Sequence, residues 1–161
     1  MWDVGCRRQR FERLKELSRH TRHFPGANPG GRAMSPLRLL IVEDESTVSL
    51  LLQDMLRDMG HTISGVAPSV RTALAIAAGA PSDLAIIDVG LAGDGGDGVD
   101  AAIELRRRFG VPSLLMTGAS FAHLGERLKE AQAVGFLQKP CSYADVERAL
   151  TAALDHLKSP H

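Results

Sequence analysis

From Leu37 onward, short apolar runs alternate with longer stretches patterned at helical spacing. Leu37-Arg38-Leu39-Leu40-Ile41-Val42 reads as a strand buried on both faces, and it stops at Glu43-Asp44-Glu45. Ser46 to Met59 carries Val48, Leu51, Leu52, Met55, Leu56 and Met59 at helical spacing, and Gly60 is a natural C-terminal cap. His61 to Ala67 alternates weakly and predicts a second strand. An alanine-rich helix follows over Ser69 to Ala78, closed by Gly79 and Pro81. Leu84-Ala85-Ile86-Ile87 predicts a third strand ending at Asp88, and a glycine-rich loop runs from Val89 to Gly98. Val99 to Phe109 predicts a helix closed by Gly110, and Val111 to Met116 a fourth strand ending at Thr117-Gly118. Phe121 to Val134 predicts a helix and Gly135 to Gln138 a fifth strand ending at Lys139-Pro140. Ser142 can cap a last helix, Tyr143 to Lys158, with Asp145 three residues on. Five strands alternating with five helices predict an α/β fold, a parallel sheet covered by helices on both faces.

Charge separates the first residues from the rest. Formal net charge is zero over 161 residues. Residues 1–33 nevertheless hold eight Lys/Arg against three Asp/Glu, and residues 34–161 hold eleven against sixteen. Residues 1–36 therefore read as a basic N-terminal extension and residues 37–158 as the folded domain. Within the extension, Arg7 to His20 could form a short helix with Phe11, Leu14 and Leu17 on one side. Pro25 to Gly31 reads as linker. A solvated, disordered tail is the expectation; a nucleic-acid or membrane contact is the alternative, and translation starting at Met34 is a third reading. Two cysteines far apart, Cys6 and Cys141, suit a reducing compartment. No apolar stretch approaches the roughly 20 residues that span a bilayer. Cytoplasmic residence is expected, with no membrane partner.

The chemistry collects after the strands. Glu43 and Asp44 follow the first, Asp88 the third, Thr117 the fourth and Lys139 the fifth. In a parallel sheet these carboxyl ends share one edge, where ligands bind. Carboxylates brought together repel unless neutralised, and a hard divalent cation such as Mg²⁺ takes oxygen ligands while leaving room for phosphate oxygens. A lysine and a hydroxyl at the same edge would offset charge on a transferring phosphoryl group. Asp88, ending the central strand, is the candidate nucleophile, forming an acyl phosphate.

Taken together, Leu39 to Glu45, Leu84 to Asp88, Met116-Thr117-Gly118 and Phe136 to Pro140 resemble the receiver domain of two-component response regulators, over residues 37–158. The resemblance implies a flavodoxin-like doubly wound (βα)5 fold with strand order 2-1-3-4-5. It implies that Asp88 accepts a phosphoryl group from a sensor histidine kinase or a histidine phosphotransfer protein. Glu43 and Asp44, with Asp88 and the backbone carbonyl of Gly90, would bind Mg²⁺. Thr117 is similar to the switch hydroxyl, Lys139 to the lysine that pairs with the phosphoryl group, and Phe136 to the rotating switch aromatic. A plain core residue on a buried strand is the other reading of Phe136. Family members usually join the lysine to the next proline through a cis peptide bond.

The chain departs from the family pattern beside Asp88. Ala92 stands where many receivers carry proline, and Asp97-Gly98 comes two residues later than the usual Asp-Gly pair. Gly90 and Ala119 occupy positions that influence phosphoryl lifetime in the family. Nothing resembling an output domain follows Lys158, so a stand-alone receiver is expected, a signalling switch rather than an enzyme, acting on a downstream protein partner. A homodimer remains open. Three rivals remain: an aspartyl-phosphate enzyme of the haloacid-dehalogenase type, whose Asp-x-Asp is missing in Asp88-Val89-Gly90; a receiver-like interaction module that is not phosphorylated; and a nucleic-acid binder working through the basic tail.

Overall fold

The computed structural model describes residues 35–93, 95–118 and 125–158. The basic extension, the Met34 start, Ala119 and the predicted helix start at Phe121 lie outside these residues. The elements, in chain order, are β1 (Arg38–Val42), α1 (Ser46–Asp58), β2 (Thr62–Ala67), α2 (Val70–Gly79), β3 (Leu84–Asp88), α3 (Gly98–Phe109), β4 (Ser113–Thr117), α4 (Gly125–Ala131), β5 (Gly135–Gln138) and α5 (Tyr143–Lys158). The strands form one sheet in the order β2-β1-β3-β4-β5, and every pairing is parallel. The parallel α/β sheet predicted by the pattern and the strand order implied by the resemblance are those found.

Strand alternation divides the core into two layers. Leu39, Ile41, Leu84, Ile86, Leu114 and Met116 point to one face, where α1 contributes Leu52 and Leu56 and α5 contributes Val146, Leu150 and Leu154. Leu40, Val42, Ala85, Ile87 and Leu115 point to the other, against α2, α3 and Ala131 of α4. Because β1, β3 and β4 are covered on both sides, their sequences read as unbroken apolar runs. Apolar burial contributes about 25 cal/mol per Å² to such a core.

Three expectations change, two at helices and one at a strand start. Leu51, predicted for the buried stripe of α1, is 53 % exposed. It lies one helical step of about 100° back from Leu52, off the row made by Leu52, Leu56 and the half-buried Val48, Met55 and Met59. The helix expected to reach Val134 ends at Ala131, because Gln132 turns left-handed at φ 47° and its amide bonds back to the Lys129 carbonyl. His61 precedes β2 rather than opening it. It is buried, its backbone amide donates to Leu56, and its Nδ1 accepts the Leu37 amide at 3.2 Å. The Ser142 cap is present as predicted: Ser142 N–H donates to Asp145 Oδ2 at 2.9 Å, and Asp145 N–H donates to Ser142 Oγ at 3.3 Å.

Candidate functional site

Strand direction carries four distant segments to one edge. β1 delivers Glu43 and Asp44, β3 ends on Asp88, β4 on Thr117, and β5 leads into Lys139. Glu43 is 2 % exposed and Asp88 7 %. Such carboxylates need partners, since an unpaired buried charge is strongly unfavourable. Lys139 supplies one to both. Its Nζ lies 2.7 Å from Glu43 Oε2 and 3.0 Å from Asp88 Oδ2. The remaining oxygens are met by backbone amides. Glu45 N–H donates to Glu43 Oε1 at 3.0 Å and Gly90 N–H to Asp88 Oδ1 at 3.1 Å. Asp44 is exposed, and its Oδ2 accepts the Ala92 amide at 3.2 Å.

Burial raises the Glu43 carboxyl above its ordinary pKa, opposed by its bond to Lys139 and assisted by the neighbouring Asp88 charge. Burial also works against the Lys139 ammonium, but its hydrogen bonds to Glu43 and Asp88, with their charges, carry it above the ordinary value. Lys139 is therefore held cationic between the two carboxylates.

Three carboxylates thus face one ammonium. Glu43, Asp44 and Asp88 each present an oxygen within 4.8 Å of the others. An all-oxygen donor set with surplus negative charge suits a hard divalent cation, so these residues fit Mg²⁺. A Cβ at Gly90 would sit 3.6 Å from both Asp88 carboxylate oxygens, an ordinary contact distance, so residue 90 lies directly beside the carboxylate.

Thr117 and Phe136 are placed differently. Thr117 is 5 % exposed, one residue beyond Met116, the register partner of Asp88. Its carbonyl accepts the Lys139 amide at 2.8 Å, tying the end of β4 to the lysine. Phe136 is 47 % exposed, so the core reading of this residue does not hold. It borders a cleft lined also by Lys139, Pro140, Asp145, Arg148 and Ala149. The Lys139–Pro140 peptide is cis, as the resemblance implies.

The α3 N-terminus completes the edge. Asp97 is the N-cap, accepting the Val99 and Asp100 amides at 2.9 and 3.1 Å, while Asp97 N–H donates to Asp100 Oδ2 at 3.0 Å. This Asp-x-x-Asp capping box is a signal the sequence carried. Arg127 of α4 then reaches both acids: Nη1 and Nη2 donate to Asp97 at 2.8 Å each, and Nη2 to Asp100 at 2.9 Å. Nothing in the spacing of Asp97 and Arg127 announces that contact.

Comparison with known proteins agrees with this geometry. The family model for the response regulator receiver domain matches residues 39–151. The transcriptional regulatory protein PdtaR of Mycobacterium tuberculosis is 34 % identical over 133 residues, covering 83 % of this chain and 64 % of PdtaR. The phyllosphere-induced regulator PhyR of Methylorubrum extorquens is 33 % identical over 118 residues, 72 % of this chain and 43 % of PhyR. The chain therefore spans less than two thirds of either relative. Among solved structures, the receiver domain of Erythrobacter litoralis PhyR superposes with TM-score 0.65 at 30 % identity, covering 78 % of this chain and 95 % of that one. Vibrio cholerae CheY4 superposes with TM-score 0.67 at 24 % identity, over 73 % and 98 %. Fold, site and sequence agree: the chain belongs to the response regulator receiver domain family.

Proposed function

We propose that this receiver works by phosphorylation of Asp88 in a His-Asp phosphorelay, with Glu43, Asp44, Asp88 and the Gly90 carbonyl as the Mg²⁺ ligands. The observation that carries the reading is the convergence of Lys139 on both Glu43 and Asp88 at 2.7 and 3.0 Å, beside exposed Asp44. An Asp88 carboxylate oxygen attacks the phosphorus of a phosphohistidine or of acetyl phosphate. The phosphorus–oxygen bond of acetyl phosphate breaks and acetate leaves with the electron pair, or the phosphorus–nitrogen bond breaks and the histidine ring, protonated on its other nitrogen, leaves as neutral imidazole. The product is an acyl phosphate on Asp88. Bound Mg²⁺ would offset charge on the phosphoryl oxygens.

Lys139 already touches Asp88 and takes one phosphoryl oxygen by a short shift. That shift weakens its bond to Glu43. Thr117 offers its hydroxyl from the end of β4, and Phe136 follows as the switch aromatic. The surface of α4, β5 and α5 then changes for a downstream protein partner. A sensor histidine kinase or a phosphotransfer protein is the donor. Among the described residues no helix is long and apolar enough to cross a membrane.

The test is incorporation of phosphate from acetyl phosphate with Mg²⁺ into the chain and into Asp88→Asn. The wild type takes up one phosphoryl group and the variant none; persistent labelling of the variant would refute the assignment.

A further inference from the structure

Arg127 of α4 bonds across to the N-terminus of α3, beside the apolar packing between the two helices. Its guanidinium forks onto Asp97, the α3 N-cap, and extends to Asp100 in the first turn. A bidentate guanidinium fixes direction as well as distance, and a lysine cannot reproduce it. The Asp97 carboxyl is held below its ordinary pKa, first by its bonds to Arg127.

The next residue, Gly98, touches the phosphoacceptor's own backbone. Gly98 N–H donates to the Val89 carbonyl at 3.3 Å, and a Cβ at Gly98 would fall 1.9 Å from the Asp88 carbonyl oxygen. Val89 N–H in turn donates to Met116 of β4 at 2.8 Å, and Gly90 N–H to Asp88 Oδ1. Movement of Asp97 is therefore transmitted to Gly98, and from Gly98 to the segment that aims the Asp88 carboxylate.

We propose that Arg127 is a positioning residue for Asp88: from α4 it holds the α3 N-terminus, and through Gly98 the backbone of residues 88–90. The position of α4 and the geometry of the Asp88 site are then set together, and by reciprocity each biases the other. This rests on Asp88 being the phosphoacceptor only for its consequence on phosphorylation. The physical link is testable without it. The bland alternative is a surface ion pair of no consequence, common for groups this exposed.

The experiment compares wild type, Arg127→Met and Arg127→Lys. Amide hydrogen exchange is read without phosphodonor, labelling is read with acetyl phosphate and Mg²⁺, and thermal unfolding reports global stability. Exchange at Gly90, Gly98, Val99 and Asp100 is expected to quicken about fivefold in both variants. Core amides of β1 and β4 stay unchanged, and the labelling rate falls about fivefold. Unchanged exchange at Gly90, or faster exchange confined to Val99 and Asp100, overturns the proposal, as do equal labelling rates. A wild type that does not label sinks the phosphoacceptor reading instead, and the Gly90 amide alone then decides the positioning claim.

Discussion

Gly98 lies against the backbone of Asp88 so closely that a single added carbon would sit 1.9 Å from the Asp88 carbonyl oxygen. Helix α3 can start where it does only because residue 98 has no side chain. Gly98→Ala therefore forces either the helix or the end of β3 to shift. The expected cost is about 2–3 kcal/mol, the upper range of overpacking effects. Urea unfolding measures it. Gly79→Ala, whose added carbon meets nothing within 4 Å, is the control and should change stability little.

Lys139 is the second point of leverage. Lys139→Met leaves Glu43 and Asp88 facing each other without their shared cation. At neutral pH the variant is expected to lose about 1–2 kcal/mol, below the usual penalty for breaking a fully buried pair because Lys139 is partly solvated. The Glu43 carboxyl, already raised by burial and held down by its bond to Lys139, rises further when the lysine is gone. Protonation of Glu43 relieves its repulsion with Asp88, so the deficit shrinks as the pH falls from 7 toward 4. Denaturation of both proteins across that range checks the sign.

His61 predicts a pH dependence at the opposite end of β1. Burial lowers its pKa from 6.5 to about 4. Its Nε2 has no hydrogen-bond partner among the described residues, so protonation inside the fold gains nothing. The unfolded chain takes up this proton near pH 6.5 and the folded chain only near pH 4. Stability is therefore full above pH 6.5 and is lost as pH falls between those values, on the order of 3 kcal/mol from this group. His61→Gln keeps an acceptor for the Leu37 amide but does not titrate. The stability difference between wild type and variant should move in the variant's favour by that amount on going from pH 7 to pH 4.

Cation binding gives a further check. A ligand that binds only the folded chain raises the unfolding temperature. Mg²⁺ is expected to do so for the wild type, and chelation to reverse it. Asp44→Asn, altering an exposed residue, should remove most of the response without harming the fold. An unchanged response in that variant would exclude Asp44 as a ligand.

The parts legible in the sequence are those set by strand direction and alternation. Glu43, Asp44, Asp88, Thr117 and Lys139 each end or follow a strand, and a parallel sheet has no choice but to gather them. The runs Leu39 to Val42 and Leu84 to Ile87 declared two buried faces. What escaped depends on angle and on distant pairing. Leu51 sits one helical step off the stripe, which counting apolar residues does not resolve. Phe136 belongs to the last strand of the sheet, where apolar character and burial part company. The helix ends at Ala131 through a left-handed Gln132, a residue with weak turn signal. Asp97 and Asp100 form a readable capping box, but their partner Arg127 comes from another helix, and one sequence contains nothing that pairs them.

The central claim is that Asp88 is the phosphoacceptor. The most direct measurement is site-mapped mass spectrometry of the chain after acetyl phosphate and Mg²⁺, with and without chelator. One phosphoryl group on the peptide containing Asp88, absent with chelator, is the predicted result. No incorporation into the wild type, or a phosphoryl group mapped to another residue, would contradict the account.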